Sequence, residues 1–147
     1  MRHALAPGYG DPADFKIDDC STQRNLDQRG REQARQLGRI FREERVSFDQ
    51  ILSSEWCRCK DTADELGLGA WQSFDGLNSF FQGYADREKT LAKLRERLDS
   101  LPPGKLVLMV THQVVISAIT GNSVGSGGIV LYNTTSAMSR SMGVITR

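Results

Sequence analysis

The stretch Lys105 to Thr111 constrains this chain more than any other. Its core, Leu106-Val107-Leu108-Met109-Val110, is apolar at every position, so a strand made from it has no face to give to water. Strands buried on both faces belong to largely parallel sheets with helices packed above and below. The run is also the longest of its kind, and it is far too short to cross a bilayer.

The rest of the chain alternates in the way such a sheet requires. Phe48 to Ser53 and Trp71 to Phe74 are predicted strands, and Gly128 to Tyr132 and Gly143 to Thr146 are candidate strands joined by a polar turn. Between them fall helices. Asp27 caps one with apolar positions Ala34, Leu37, Gly38 and Phe41, whose other face carries Arg31, Glu32, Arg35, Arg39, Arg42, Glu43 and Glu44 as a solvated surface. Cys57 to Leu66 is the second. Arg87 to Leu101 is the third, stopped by Pro102-Pro103, and Val114 to Thr120, closed by Gly121, is the fourth. The turn-rich Pro7-Gly8-Tyr9-Gly10-Asp11-Pro12 opens a surface loop that runs to about Leu26. No repeat or linker interrupts the order, so residues 1–147 read as a single α/β domain, a three-layer sandwich with a mostly parallel central sheet.

Composition excludes several functions. Nineteen basic and eighteen acidic residues give a formal charge of +1, which leaves no general field for gripping nucleic acid. Three cysteines are too few for a disulfide framework. They read as buried thiols, with a bridge from Cys20 to Cys57 or Cys59 left open for an exported protein. The chain as given starts with no signal segment and reads as cytoplasmic.

Ligands in open α/β sheets sit beyond the carboxyl ends of the strands, so residues just after each strand matter most. Both histidines of the chain, His3 and His112, fall there. His3 follows Arg2, His112 follows the best strand, and Ser53-Ser54 leads into Arg58 at a helix start. Guanidinium groups match phosphate oxygens with a planar fork and keep their charge. An imidazole among them is held neutral, and so nucleophilic, by the surrounding positive charge. The arginines and the other imidazole would stabilise the transferring group.

Arg2-His3-Ala4 resembles the Arg-His-Gly signature of the histidine phosphatase superfamily, the phosphoglycerate-mutase-like fold, with alanine in the glycine slot. Asn25-Leu26, Gly30 and Gln33-Ala34 resemble that family's "L-x-x-x-G-x-x-Q-A" helix start. Ser53 to Ala63 matches "S-S-x-x-x-R-x-x-x-T-A", and Val110-Thr111-His112 matches the strand ending in the second histidine. The resemblance implies that His3 is the phosphorylated nucleophile and that Arg2, Arg58 and His112 form the phosphate pocket. It places Arg24 and Gln113 where substrate-side residues occur. It implies no cofactor and no metal, and a small phosphorylated substrate or phosphoprotein as partner, with no membrane span and no stated oligomeric state.

Three departures qualify the resemblance. The family's proton-donating "L-x-E" corresponds to Leu77-Asn78-Ser79, which has no carboxylate, and Asp11, Asp14, Asp18, Asp19, Asp75 and Asp86 are the acids left to choose from. The apolar strand that normally precedes Arg-His is nearly missing, so the expectation is an earlier true start. Were a signal segment to lie upstream, the protein would be periplasmic or secreted. The chain also lacks the large insertions of mutases and phytase-like members, which favours a small phosphatase. Other readings fare worse. No arginine stands six positions after any cysteine, as a cysteine phosphatase requires. The glycine-rich Gly121 to Gly128 lacks a P-loop lysine, and Cys57-Arg58-Cys59 is poor spacing for zinc. A phosphate- or partner-binding domain without turnover and a phosphomutase remain as alternatives.

Overall fold

The computed structural model describes residues 1–146. A three-stranded parallel sheet has the order β2 (Gln72–Ser73), β1 (Gln50–Ser53), β3 (Val107–Val110). A separate antiparallel hairpin pairs β4 (Ile129–Tyr132) with β5 (Ser139–Gly143). Four helices complete the chain: α1 (Gln28–Glu43), α2 (Cys57–Leu66), α3 (Arg87–Asp99) and α4 (Gln113–Thr120).

The strands explain the layers. Side chains alternate across a strand, so neighbours serve opposite faces. Ile51, Leu108 and Val110 join Leu37 of α1 and Cys59, Ala63 and Leu66 of α2 in one core. Leu52 and the partly buried Val107 and Met109 join Leu94 of α3 and Val115 of α4 in another. The sheet is therefore covered on both sides at Val107 to Val110, as the apolar run requires, whereas Leu106 precedes β3 and is exposed.

Local chemistry sets the helix ends. The Asp27 carboxylate accepts from Gly30 N at 2.9 Å and starts α1, and Gly67 and Gly121 close α2 and α4 in the left-handed region. Two glycines of α1 mark close backbone approach. A Cβ on Gly30 would lie 1.9 Å from the Leu5 carbonyl oxygen, and one on Gly38 would lie 1.9 Å from that of Leu66.

Two expectations need correction. The charged face of α1 is not all solvated: Arg31 pairs with Asp61 and Glu65 of α2, and Arg35 pairs with Glu65. Such half-exposed pairs contribute only about 0–1 kcal/mol each, so they set the register of two helices that apolar contact holds together. The last strand is Ser139–Gly143 rather than Gly143 to Thr146. Asn133 Oδ1 accepts from Thr135 N and Ser136 N, which tightens the turn until Tyr132 pairs with Ser139. The paired residues are polar because much of the strand faces solvent, so no apolar alternation marks them.

The first residues lie where a further central strand would stand. Arg2 bridges Thr111 in parallel, with Thr111 N donating to Met1 O and His3 N to Thr111 O, each at 2.9 Å. On its other side Arg2 N donates to Gly128 O, just before β4. Met1 to His3 thus join β3 to β4 at one end only. Beyond them the layer opens into an apolar groove of about 620 Å³, lined by Val107 and Met109 and by Ile129 and Leu131.

Candidate active site

Three strand ends and one loop build the site. His3 follows the Arg2–Thr111 bridge, and His112 follows β3 at the cap of α4. Arg58 occupies the first turn of α2, and Asp11 comes from the loop after Ala6. Both imidazoles and Arg58 are buried, and the two rings lie with centroids 5.5 Å apart.

The His3 ring is fixed by its own backbone. Nδ1 lies 2.8 Å from Ala4 O, and a carbonyl only accepts, so the proton sits on Nδ1 and Nε2 is unprotonated, its lone pair accepting from Arg58 Nε. Ala4 is fixed in turn by Thr62, whose Oγ1 accepts from Ala4 N and donates to Arg58 O.

Arg58 uses all five of its donors. Nε reaches His3 Nε2 at 3.2 Å, and Nη2 lies 3.4 Å from His112 Nδ1. Asp11 accepts from the end of the fork, Oδ1 from Nη1 at 2.8 Å and Oδ2 from Nη2 at 3.2 Å, and Arg24 O accepts from Nη1 at 3.3 Å. The carboxylate therefore takes the end-on edge and turns the Nε/Nη2 edge toward both imidazoles. Asp11 is itself held by Arg24 N and by Trp56 Nε1.

The electrostatics follow from burial and from the guanidinium groups. Burial first, then Arg58, Arg2 and Arg24, pushes the His3 pKa down to about 3, against the weaker upward pull of its bond to Ala4 O. Burial and then Arg58, His3, Arg24 and Arg2 hold His112 well below the ordinary histidine value. Burial raises the Asp11 carboxyl, but the hydrogen bond and charge of Arg58, helped by Arg24 N and Trp56, outweigh it and leave Asp11 low. Three guanidiniums against one carboxylate leave two net positive charges around two neutral imidazoles. Such a balance favours an anion over a cation.

The remaining candidates separate. Arg2 donates from Nη1 to Val124 O at 3.0 Å, while its Nε is buried with no hydrogen-bond partner. Arg24 donates to the carbonyls of Gly10 and Ala6, so its side chain shapes the loop that carries Asp11. Gln113 donates to Ser117 Oγ and Asn122 O and accepts from Val124 N, so its amide braces the 122–124 turn. Of the six aspartates weighed, Asp11 lies in the site. Asp19 and Asp86 cap short turns or helices, and Asp75 pairs with Lys93. Ser54, Glu55 and Asn78 were not singled out by sequence reasoning, yet they adjoin His112 through hydrogen bonds. Ser54 had a signal, since it stands in the Ser-Ser motif.

Cys20 and Cys57 are joined by a disulfide, and Cys59 is a buried free thiol whose pKa burial pushes up to about 12. The bridge ties the long first loop to the start of α2, beside Arg58. Gln23 adds to this by accepting from Cys57 N, and Phe15 stacks on Trp56. Among the described residues no three His, Cys, Asp or Glu side chains converge as a metal site would need.

A family model of the histidine phosphatase superfamily (branch 1) matches residues 17–78, a span that carries Arg24, Ser54 and Arg58 but neither histidine. No match was found among curated proteins. Solved structures resemble the fold over nearly the whole chain. The protein histidine phosphatase SixA, complexed with tungstate, is 18% identical with a TM-score of 0.61, covering 96% of this chain and 90% of its own. A candidate α-ribazole-5′-phosphate phosphatase from Escherichia coli K-12 is 19% identical with a TM-score of 0.70, covering 100% and 94%. A mycobacterial glucosyl-3-phosphoglycerate phosphatase is 17% identical with a TM-score of 0.62, covering 97% and 94%.

Proposed function

We propose that this chain belongs to the histidine phosphatase superfamily, whose model matches residues 17–78, and that it is a metal-independent phosphohydrolase that moves a phosphoryl group from a small phosphorylated substrate to His3 and then to water. The observation that carries the reading is that His3 and His112 meet on the same edge of one guanidinium. His3 Nε2 is unprotonated on a neutral ring, its lone pair accepting only from Arg58 Nε, and an unprotonated nitrogen is what the nucleophile needs. The orphaned Arg2 Nε is a donor suited to a phosphoryl oxygen. In the first step His3 Nε2 bonds to phosphorus and the bond to the leaving oxygen breaks, that oxygen keeping the electron pair and taking a proton. In the second, water adds to phosphorus, the P–N bond breaks and His3 is regenerated.

Residues 77–79 supply no carboxyl to protonate the leaving oxygen. A positioned acid contributes about 10²–10⁴-fold, so substrates that need it least fit best. Phosphohistidine and acyl phosphates are of that class. The Cys20–Cys57 bridge supports work in an oxidising compartment, where such bonds persist.

The test is steady hydrolysis of an aryl phosphate, unchanged by a chelator and abolished in His3→Ala. Loss with chelator removes the metal-independent reading, and transfer to an added alcohol in preference to water indicates a mutase. Equal turnover of alkyl and aryl phosphates rejects the narrower substrate class. A second reading, a phosphate-binding domain without turnover, is favoured by one feature: Arg58 already holds a carboxylate. Tight phosphate binding with no burst or steady release of aryl alcohol would establish it.

A further inference from the structure

His112 stands at the head of a chain of hydrogen bonds that ends in a carboxylate. Ser54 Oγ lies 2.9 Å from His112 Nε2 and 3.1 Å from Asn78 Oδ1. The orientation of the Asn78 amide is settled by its other contacts. Glu55 N–H donates to Oδ1 at 2.9 Å, and Nδ2 donates to the Glu55 carboxylate at 2.7 Å. With Oδ1 facing Ser54, the single hydroxyl hydrogen must point at Asn78, because two acceptors 3.1 Å apart with no hydrogen between them repel. Ser54 Oγ is then an acceptor toward His112, and it also accepts from Trp56 N. The proton of neutral His112 therefore sits on Nε2, and Nδ1 is unprotonated, its lone pair facing the Arg58 Nη2 donor at 3.4 Å. Every link runs one way: His112 Nε2–H to Ser54, Ser54 to Asn78, Asn78 to Glu55.

We propose that Glu55, acting through Asn78 and Ser54, is a positioning residue that fixes His112 as the Nε2–H tautomer, so that Nδ1 exchanges the proton with the leaving oxygen in place of the absent carboxylic acid. The proposal rests on the phosphohydrolase reading above and deepens it. Arg58, His3, Arg24 and Arg2 all disfavour a second proton on His112, and Cys59, whose Sγ lies 3.5 Å from Nε2, is a neutral thiol. A bound phosphate dianion reverses that balance and lets Nδ1 take a proton. As His3 Nε2 bonds to phosphorus, the P–O bond breaks and the leaving oxygen takes the Nδ1 proton, so His112 becomes neutral. Water then attacks the phosphohistidine and gives a proton to Nδ1, and the P–N bond breaks. Phosphate and neutral His3 result, with His112 again protonated, so charge and atoms balance over the cycle. The carboxylate at the far end of the chain favours that protonated state.

Two readouts test this. Nitrogen-15 NMR of the full chain reports the His112 tautomer without any turnover. The Nε2–H form is expected in the parent and in Glu55→Gln, whose amide oxygen still accepts from Asn78, and a mixture is expected in Glu55→Ala and Asn78→Leu. With kinetics, Glu55→Ala should lower kcat about tenfold for an alkyl phosphate but less than about twofold for p-nitrophenyl phosphate, with KM little changed. Glu55→Gln should move the alkaline limb of kcat to lower pH, since removing the charge weakens the protonated imidazole. An unchanged tautomer in Glu55→Ala overturns the proposal, as does an equal kcat loss for both substrates in a variant that melts like the parent. A chain that turns over no phosphate at all overturns the hydrolase reading instead, while the NMR still decides the tautomer.

Discussion

His3 and His112 share one guanidinium but are held in opposite ways. Nδ1 of His3 donates to the carbonyl of the next residue, which no side-chain substitution can remove. His112 is oriented from Nε2 by the hydroxyl of Ser54, and beyond it by Asn78 and Glu55. The two rings thus present different nitrogens to the same space, Nε2 from one and Nδ1 from the other. A backbone anchor gives a ring one fixed tautomer, as a nucleophile needs. A side-chain anchor leaves the ring's basicity open to adjustment by what stands behind it.

The largest effect follows from asking one ring to do the other's work. His3→Ala removes the atom that bonds to phosphorus, and the expected loss in kcat is roughly 10⁴–10⁶-fold, the scale of deleting a nucleophile. His112→Ala leaves that atom in place, so its loss should be nearer 10²-fold and larger for poor leaving groups. Phosphoenzyme trapped with an aryl phosphate should vanish in the first variant and persist in the second. Equal losses, with no trapped intermediate in either, would break the distinction.

Asp11 acts on the guanidinium that both rings share, so its removal should not tell them apart. Asp11→Asn offers one acceptor and two donors where Arg58 needs two acceptors. Both partners are almost wholly buried, at 3% and 4% exposure, and breaking such a pair from one side costs about 3–5 kcal/mol. Urea unfolding reads that loss, and kcat should fall about 10²-fold alike for alkyl and aryl phosphates as the fork loses its orientation. A loss that follows leaving-group quality would instead make Asp11 part of the proton path.

Acid should reveal both rings together. An unfolded histidine takes its proton near pH 6.5, whereas folded His3 resists until about 3. Between those values the unfolded chain binds more protons, so stability rises with pH, is full above about 6.5, and is lost as pH falls toward about 3. The slope is at most about 1.4 kcal/mol per pH unit for each such ring. Denaturation midpoints at pH 7.5 and 5 measure it. His3→Gln and His112→Gln should each flatten the dependence, and an unchanged slope in both would mean that the rings are not buried as neutral groups.

The sequence made one half of this site easier to read than the other, for a physical reason. His3, Arg58 and His112 stand at strand ends, where periodicity changes abruptly, so the chemistry of an α/β sheet locates them. The parallel sheet was legible in the same way, from residues apolar on both faces. Asp11 belongs to a loop whose only regularity is its turn residues, and nothing local separates it from Asp14, Asp18 or Asp19. Glu55 and Asn78 lie 23 residues apart, and their hydrogen bond exists only once β1 and the turn after β2 are side by side. Cys20 pairs with Cys57 rather than Cys59 because Cys59 turns inward on α2 to contact His112. That is a fact of helix rotation, which spacing alone leaves open. The strand Ser139–Gly143 escaped notice because a solvent-facing edge needs no apolar residue.

The smallest expected effect concerns Gln113, which follows His112 directly and would be taken for a substrate contact on position alone. Its amide is spent on the 122–124 turn, and that turn holds Arg2 through Val124 O. Gln113→Ala should therefore cost about 1 kcal/mol of stability, the worth of an ordinary hydrogen bond. It should raise KM no more than about threefold through a looser Arg2, and leave kcat and leaving-group dependence as they were. A direct contact with the substrate would behave otherwise, with a larger rise in KM that varies with the group attached to phosphorus and no change in unfolding. Measured beside Glu55→Ala, the Gln113 variant separates two kinds of support. One holds an arginine through a loop, and the other sets the tautomer of a ring.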